Sequence, residues 1–249
     1  MTSCSPRYGE SPTGALRFKK PVKFEAGEIL FDVSGESEVM CTQWNDYYTA
    51  MVGQEDCLLL NVYVPANVVE EGANVPVMVW IHGGAFMSGS GTYADYGPQY
   101  FMDSGGVVMV TVNYRLGPFG FLSSAREDLP GNQGLWDQSL ALHWVRDNIQ
   151  HFGGDRDQVT LFGESAGGIS VTAHLASPGS QDLFHRAIAM SGVWAETPFL
   201  HTSKHPSEYC RALADWLGCP DLQDSRELVK CLRSKPAIAY RFSSVFTNI

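Results

Sequence analysis

The sequence has no apolar run long enough to cross a membrane and no excess of basic residues. A membrane-spanning helix needs roughly 18 or more consecutive apolar residues, whereas the longest apolar stretch, Val107–Val112, is interrupted by Thr111 and has the length of a strand. The 17 lysines and arginines are outnumbered by 27 aspartates and glutamates, so the net charge is −10. Binding to nucleic acid or to an anionic lipid surface therefore lacks an electrostatic basis.

Metal-binding cysteine spacings, glycosylation sequons and internal repeats are also missing. No CxxC or mixed His/Cys cluster occurs, so we expect neither a metal site nor a cofactor. No Asn-x-Ser/Thr sequence supports glycosylation. The first residues, Met1–Tyr8, do not form a charged-then-apolar signal sequence, which taken alone favours the cytosol.

The cysteines point instead to an oxidising compartment. Of the six, two pairs lie close in sequence, Cys41 with Cys57 and Cys219 with Cys231. A disulfide that closes a loop of this size contributes on the order of 3 kcal/mol in the chain-entropy model, and such bridges persist outside the cytosol. From spacing alone, six buried thiols remain the alternative.

Apolar patterns predict strands that alternate with helices. Of the 249 residues, 44% are hydrophobic, which is enough to bury a sizeable core. Short apolar runs, several of them apolar throughout and so buried on both faces, predict strands at Leu58–Val64, Val77–Ile81, Val107–Asn113, Val159–Phe162 and Ala187–Met190. An apolar stripe over Gln133–Phe152 predicts a helix. The rhythm indicates an α/β fold, a mostly parallel sheet with helices on both faces, in one domain or part of one.

The pentapeptide GESAG at Gly163–Gly167 carries the clearest chemical signal. It lies between a strand pattern and a helix pattern, which is the context of a nucleophile elbow. An elbow holds its serine, here Ser165, in a strained backbone conformation, and the helix N-terminus places N–H groups where negative charge develops. The alternative is a glycine-rich turn with a surface serine.

A second glycine-rich turn suits the same chemistry. The sequence HGGAF at His82–Phe86 follows the strand pattern VMVWI. Such a turn aims backbone N–H groups at the oxyanion of a tetrahedral intermediate. HGG alone is only a turn signal, but upstream of an elbow it is the expected partner loop.

Six motifs in order along the chain indicate a family. They are EDCLLLNVYVP (Glu55–Pro65), HGGAF, NYRLGPFGFL (Asn113–Leu122), GNQGLWDQSLAL (Gly131–Leu142), FGGD (Phe152–Asp155) and FGESAGG (Phe162–Gly168). Together they resemble the type-B carboxylesterases, the cholinesterase-like branch of the α/β-hydrolase fold. The resemblance implies a carboxylic ester hydrolase that forms an acyl-enzyme, with the C-terminal part of the fold outside this chain.

The resemblance also implies the roles of site residues. Ser165 is the expected nucleophile, and the N–H groups of Gly84, Ala85 and Ala166 are the expected oxyanion hole. Glu164 matches a buried glutamate that tunes the site electrostatically and is not the triad acid. Ala85 replaces a glycine that many members carry, which keeps the N–H and adds a methyl that is expected to narrow the acyl pocket.

Structural pairings follow from the same resemblance. It implies the disulfides Cys41–Cys57 and Cys219–Cys231 and leaves Cys4 and Cys210 as free thiols. It further implies two internal ion pairs, which without it would be read as solvated charges: Arg17 with Glu55 and Arg115 with Asp137.

The substrate is inferred from the loop between the first paired cysteines. Cholinesterases carry a tryptophan there for a quaternary ammonium group, and this loop, although it contains Trp44, Tyr47 and Tyr48, is too short to reproduce that segment. A small uncharged, fairly apolar ester is the expected partner. The candidate acyl-pocket residues, which equally suit the core, are Val193, Trp194 and Phe199.

Two non-catalytic interpretations stay open. One is an adhesion protein that keeps the fold, and the other is a truncated product that binds ligand without turnover. The resemblance places the triad acid and histidine farther downstream than the residues that follow Ser165. The histidines that do follow Ser165 are poor substitutes for the triad base: His174, His185, His201 and His205.

Overall fold

The computed structural model describes residues 1–25, 38–45, 49–194, 205–219 and 225–240. The strands are β1 (Thr2–Cys4), β2 (Gln43–Asn45), β3 (Ala50–Val52), β4 (Leu60–Val64), β5 (Val75–Ile81), β6 (Val108–Val112), β7 (Ser123–Arg126), β8 (Leu129–Pro130), β9 (Gly154–Glu164) and β10 (Arg186–Met190). The α-helices are α1 (Ala66–Glu71), α2 (Tyr93–Tyr96), α3 (Gln99–Ser104), α4 (Gly117–Phe121), α5 (Gln133–Asn148), α6 (Ala166–Ala176), α7 (Pro206–Trp216) and α8 (Ser225–Ser234). Short 3₁₀ helices lie at Gly14–Leu16, Ile149–Phe152, Pro178–Ser180 and Ala237–Tyr240.

The central sheet has six strands in the order β1-β4-β6-β5-β9-β10. The β1/β4 and β4/β6 pairs are antiparallel, whereas β6/β5, β5/β9 and β9/β10 are parallel. The predicted mostly parallel sheet is therefore confirmed, and each of the five predicted strands occurs with its ends shifted by a few residues. Because parallel strands end at the same edge, the turns after β5 and β9 lie side by side.

Two apolar cores cover the two faces of the sheet, since alternate residues of a strand point to opposite sides. One core joins aliphatic strand residues to helix α5 and includes Val62, Val79, Val110, Leu161, Leu142 and Val145. The other joins larger strand residues to aromatic side chains of α2 and α3 and includes Tyr63, Trp80, Met109, Phe162, Tyr93 and Phe101. The expected helices on both faces are confirmed. Within the described ranges, no helix has the length and apolar character needed to cross a bilayer.

Strand β10 departs from the burial that its apolar sequence suggested. Ile188 is 45% exposed and Met190 is 36% exposed. The reason is its position, because β10 lies at the end of the sheet and, in the described part of the chain, pairs only with β9. This strand therefore presents an apolar edge to solvent.

Helix α5 confirms the predicted apolar stripe, although its last turn tightens. The α-helix ends at Asn148 and continues as the 3₁₀ helix Ile149–Phe152. Gly153 ends it with a left-handed φ of 75°, and its N–H donates to the Gln150 carbonyl at 3.1 Å. Glycine adopts this conformation without the steric cost that a Cβ imposes.

Both expected disulfides are present, joining Cys41 to Cys57 and Cys219 to Cys231. The second ties the chain after α7 to helix α8, which together form a separate core with Phe18, Phe119 and Tyr240. The other two cysteines, Cys4 and Cys210, to which the resemblance assigned no partner, are free and buried. Burial raises the pKa of each of these two thiols to about 11, so both are protonated and unreactive at neutral pH.

Two ion pairs connect distant parts of the fold. Arg115 donates from Nε and Nη2 to the two carboxylate oxygens of Asp137, at 2.8 and 2.7 Å, and both side chains are buried. Arg17 binds Glu55 in the same bidentate manner and also donates to the carbonyls of Arg233 and Lys235. The two internal pairs implied by the resemblance are therefore formed.

Breaking the Arg115–Asp137 pair is expected to destabilise the protein strongly. Asp137→Asn leaves the buried Arg115 guanidinium without its counter-charge, and such a loss costs about 3 to 5 kcal/mol of unfolding free energy. The control is Asp56→Asn, which breaks the partly exposed pair with Arg7 and should cost about 1 kcal/mol or less. Urea unfolding of the two variants measures the difference, and equal losses would contradict it.

Candidate active site

The predicted elbow is present at the junction of β9 and α6. Strand β9 ends at Glu164, helix α6 begins at Ala166, and Ser165 between them has φ 54° and ψ −119°. A positive φ is uncommon for a residue with a Cβ. It costs of order 1 to 3 kcal/mol and persists only where the surrounding structure imposes it. The Ser165 N–H donates to the Met190 carbonyl of β10 at 2.9 Å, which helps to hold this conformation.

Glycines allow the elbow to pack against its neighbours. A Cβ on Gly163 would lie 2.6 Å from the backbone of Gly167, and one on Gly167 would lie 2.0 Å from the Ile81 carbonyl oxygen. Strand β9, helix α6 and the end of β5 thus approach more closely than any side chain permits. Gly192 also packs closely against the elbow, since a Cβ at this position would lie 2.3 Å from the Ser165 carbonyl oxygen. The sequence motif did not reveal Gly192, because it follows β10 and meets the elbow only in the folded chain.

The HGGAF turn lies directly beside the elbow. A Cβ on Gly83 would be 3.2 Å from Ser165 Cβ and 3.0 Å from a carboxylate oxygen of Glu164. Three consecutive residues have positive φ, namely Gly84 at 104°, Ala85 at 54° and Phe86 at 60°. This run bends the backbone sharply, so that its peptide groups change direction beside the serine.

Three backbone N–H groups at this place have no acceptor among the described residues. Those of Gly84, Ala85 and Ala166 form no hydrogen bond with any described residue. The Ala166 group is also at the N-terminus of α6, where the helix dipole favours negative charge. A half-exposed serine hydroxyl therefore lies next to unpaired donors, and this arrangement can stabilise an oxygen anion formed on a carbonyl group attached to the serine.

Comparison with known proteins places the chain in a family. A model of the carboxylesterase family matches residues 6–242. The chain belongs to the carboxylesterase family. It is 42% identical over 238 residues to venom carboxylesterase-6 of Apis mellifera, covering 92% of this chain and 41% of that protein.

Other carboxylesterase-family relatives are similar to the same degree. Over 229 residues the chain is 44% identical to bile salt-activated lipase of Homo sapiens, covering 90% of the chain and 30% of the relative. Over 244 residues it is 43% identical to acetylcholinesterase of Electrophorus electricus, covering 92% and 37%. The chain thus spans about two fifths or less of the length of these carboxylesterases.

Glu164 differs from the expectation that it is buried. Its side chain is the last of β9 and is exposed to solvent, although one of its carboxylate oxygens lies close to Gly83 of the HGGAF turn. Its charge nevertheless acts locally. Burial raises the pKa of the nearby Tyr96 hydroxyl, and the negative charges of Asp95 and Glu164 raise it further.

No histidine of the described residues hydrogen-bonds to Ser165. His174 is buried on α6 and its two ring nitrogens bind Ser180 and Gln138, at 2.8 and 3.0 Å. Burial lowers the pKa of His174 to about 4. His185 accepts from the Val159 N–H, and His201 lies outside the described residues. His205 caps helix α7.

The residues expected near the substrate are only partly described. Trp44 is half-buried in β2, and Tyr47, Tyr48 and Phe199 lie outside the described residues. Val193 and Trp194 directly follow Gly192, which touches the elbow, and both are exposed. The Trp194 N–H donates to Thr172 Oγ1 of α6 at 2.8 Å, so this segment lies against α6 and these two side chains are not in the core. In the described ranges no group of three or more His, Cys, Asp or Glu side chains is arranged to hold a metal ion.

Proposed function

We propose that the protein hydrolyses carboxylic esters with Ser165 as the nucleophile. The observation that carries this proposal is the strained serine at the β9–α6 junction, packed against a loop whose N–H groups at Gly84 and Ala85 bind no described residue. The family supports the same chemistry, since its relatives here are named as esterases and a lipase.

The reaction follows from the geometry. The Ser165 hydroxyl oxygen attacks the ester carbonyl carbon, and the carbonyl oxygen becomes an anion that accepts from Gly84, Ala85 and Ala166. Collapse of this intermediate releases the alcohol and leaves an acyl-enzyme, which water then cleaves to the acid. A base must remove the serine proton and return it to the alcohol, and we assign that role to a histidine other than those described above.

The substrate we propose is a small, uncharged and fairly apolar ester. The Cys41–Cys57 loop has a sequence separation of only 16 residues, which is short for the choline-binding segment of a cholinesterase. The side chains of Val193 and Trp194, which follow the Gly192 that contacts the elbow, are exposed and offer apolar surface for such an ester. A general carboxylesterase therefore fits better than a cholinesterase.

A fluorophosphonate probe distinguishes this function from adhesion or ligand binding without turnover. The probe should label the natural protein, and peptide mapping should place the label on Ser165. Ser191→Ala is a matched control, because Ser191 is an exposed serine with φ 52° at the end of β10 and should leave labelling unchanged. No label on a folded protein would favour a non-catalytic role.

We also propose that the protein matures outside the cytosol. Its two disulfides are the support for this, because such bridges persist in oxidising compartments. Protein collected from the medium of expressing cells should yield the linked peptides Cys41–Cys57 and Cys219–Cys231 by mass spectrometry without reduction. Free thiols at all four positions would refute this maturation.

A further inference from the structure

The side-chain amide of Gln43 forms two hydrogen bonds with the main chain of Gly89, three residues after the HGGAF turn. Its Nε2 donates to the Gly89 carbonyl at 2.8 Å, and its Oε1 accepts from the Gly89 N–H at 2.8 Å. Nε2 also donates to the Cys41 carbonyl at 3.1 Å, and the residue is only 8% exposed. A buried amide with all three of these bonds fixes Gly89 in both position and orientation.

Gly89 in turn packs against the start of the HGGAF turn. Its φ is 104°, and a Cβ at this position would lie 2.5 Å from His82 Nδ1 and 2.7 Å from the Gly83 carbonyl oxygen. The backbone of Gly89 therefore packs directly against His82 and Gly83. Any displacement of Gly89 changes the space available to these two residues.

The Gly83 carbonyl and the Gly84 N–H belong to one planar peptide unit, in which they point in opposite directions. His82 Nδ1 donates to the Gly83 carbonyl at 2.8 Å. Burial lowers the pKa of His82 to about 4, so its ring is neutral at pH 7 and Nδ1 carries the proton. With the carbonyl held on the Gly89 side, the Gly84 N–H is directed to the opposite side.

Gln43 is itself held by a cross-linked segment. Cys41, two residues before it, is bonded to Cys57, and β2 pairs with β3. The Thr42 N–H donates to the Gln54 carbonyl at 3.1 Å, so both sides of the hairpin are fixed. The disulfide and the strand pairing thus hold the backbone of Gln43 in place, and with it the side-chain amide.

We propose that Gln43 is a positioning residue for the HGGAF turn. It fixes the direction of the Gly84 N–H through its contacts with Gly89 and, through Gly89, with His82. The inference rests on the proposed function of Ser165. Gln43 touches neither the serine nor the reacting ester, so its effect is on alignment in the transition state, where one oxyanion donor is worth about 10² to 10³ in kcat.

The test is Gln43→Met in the natural protein, because methionine keeps the size of the side chain and removes its hydrogen bonds. The expected result is a kcat at least about tenfold lower with KM within about twofold, as for other losses confined to the transition state. Affinity for a trifluoromethyl ketone, which forms a tetrahedral adduct, should fall by the same factor. Gln54→Met is the matched control, since Gln54 also donates to a backbone carbonyl, that of Asp56, but is exposed.

The outcomes separate this inference from the proposed function. Hydrolysis that persists in Ser165→Ala would overturn the function itself. A second outcome would overturn only the role of Gln43. In that outcome hydrolysis depends on Ser165, but a folded Gln43→Met variant keeps the wild-type kcat and the wild-type affinity for the ketone. If Gln43→Met does not fold, Gln43→Asn serves instead, because an amide that is one methylene shorter cannot keep both hydrogen bonds to Gly89 at their present distances. Its kcat should be reduced, and a wild-type kcat would refute the proposal.

Discussion

Ester turnover by the natural protein is expected to fall by at least about 10³-fold when Ser165 is replaced by alanine. In the proposed mechanism this substitution removes the oxygen that bonds covalently to the acyl group, so the remaining rate comes from the oxyanion donors and from substrate binding. The fold should be unaffected, because the Ser165 hydroxyl is half-exposed and makes no hydrogen bond with the described residues.

Steady-state hydrolysis of p-nitrophenyl acetate measures this loss, and circular dichroism checks the fold of the variant. The same substitution at Ser191, which also has a positive φ but is one residue beyond β10, should leave turnover within about twofold. If Ser165→Ala keeps turnover within tenfold of the wild type, Ser165 is not the nucleophile.

The parts of this fold that the sequence predicts are those with a local signature. A parallel strand covered on both faces must be apolar at nearly every position, and β6, which is parallel to β5, is buried throughout and apolar except at Thr111. The elbow is local too, because strand, serine and helix follow one another within a few residues. Its glycines could be interpreted for the same reason.

The contacts that shape the site from a distance have no such signature. Gln43 reaches Gly89 across 46 positions, and Gly192 meets Ser165 from the next strand. Asn113 holds the same loop from another strand, accepting from the Gly91 N–H at 2.8 Å. Single polar residues of this kind look like ordinary loop or strand-end residues until the chain is folded.

The burial of charged residues is likewise hard to predict from the sequence. Arg115 and Asp137 are fully internal, yet a lone charged residue in a sequence is usually solvated, so only the family resemblance indicated the pair. Glu164 is the opposite case, because the resemblance implied burial and the described chain leaves it exposed. Burial of a charge depends on what packs over it, and that is a property of the tertiary structure.

A protein consisting of residues 1–249 alone is expected not to hydrolyse esters. A serine hydroxyl is a weak nucleophile without a base in hydrogen-bond reach, and no described histidine hydrogen-bonds to Ser165. His174 is buried and bonded to Ser180 and Gln138, while His82 donates to the Gly83 carbonyl. Burial lowers the pKa of both rings to about 4, which makes them poor proton acceptors at pH 7.

The apolar edge of β10 adds a second reason to expect an inactive product. Ile188 and Met190, with Trp194 beyond them, expose an apolar surface next to a strand edge with which no described strand pairs. Such edges promote aggregation or pairing with another chain. We therefore expect poor solubility, with p-nitrophenyl acetate hydrolysis equal in the wild-type segment and in its Ser165→Ala variant. A soluble monomer whose hydrolysis requires both Ser165 and His174 would overturn this expectation, because the base would then lie on the helix that leaves the elbow.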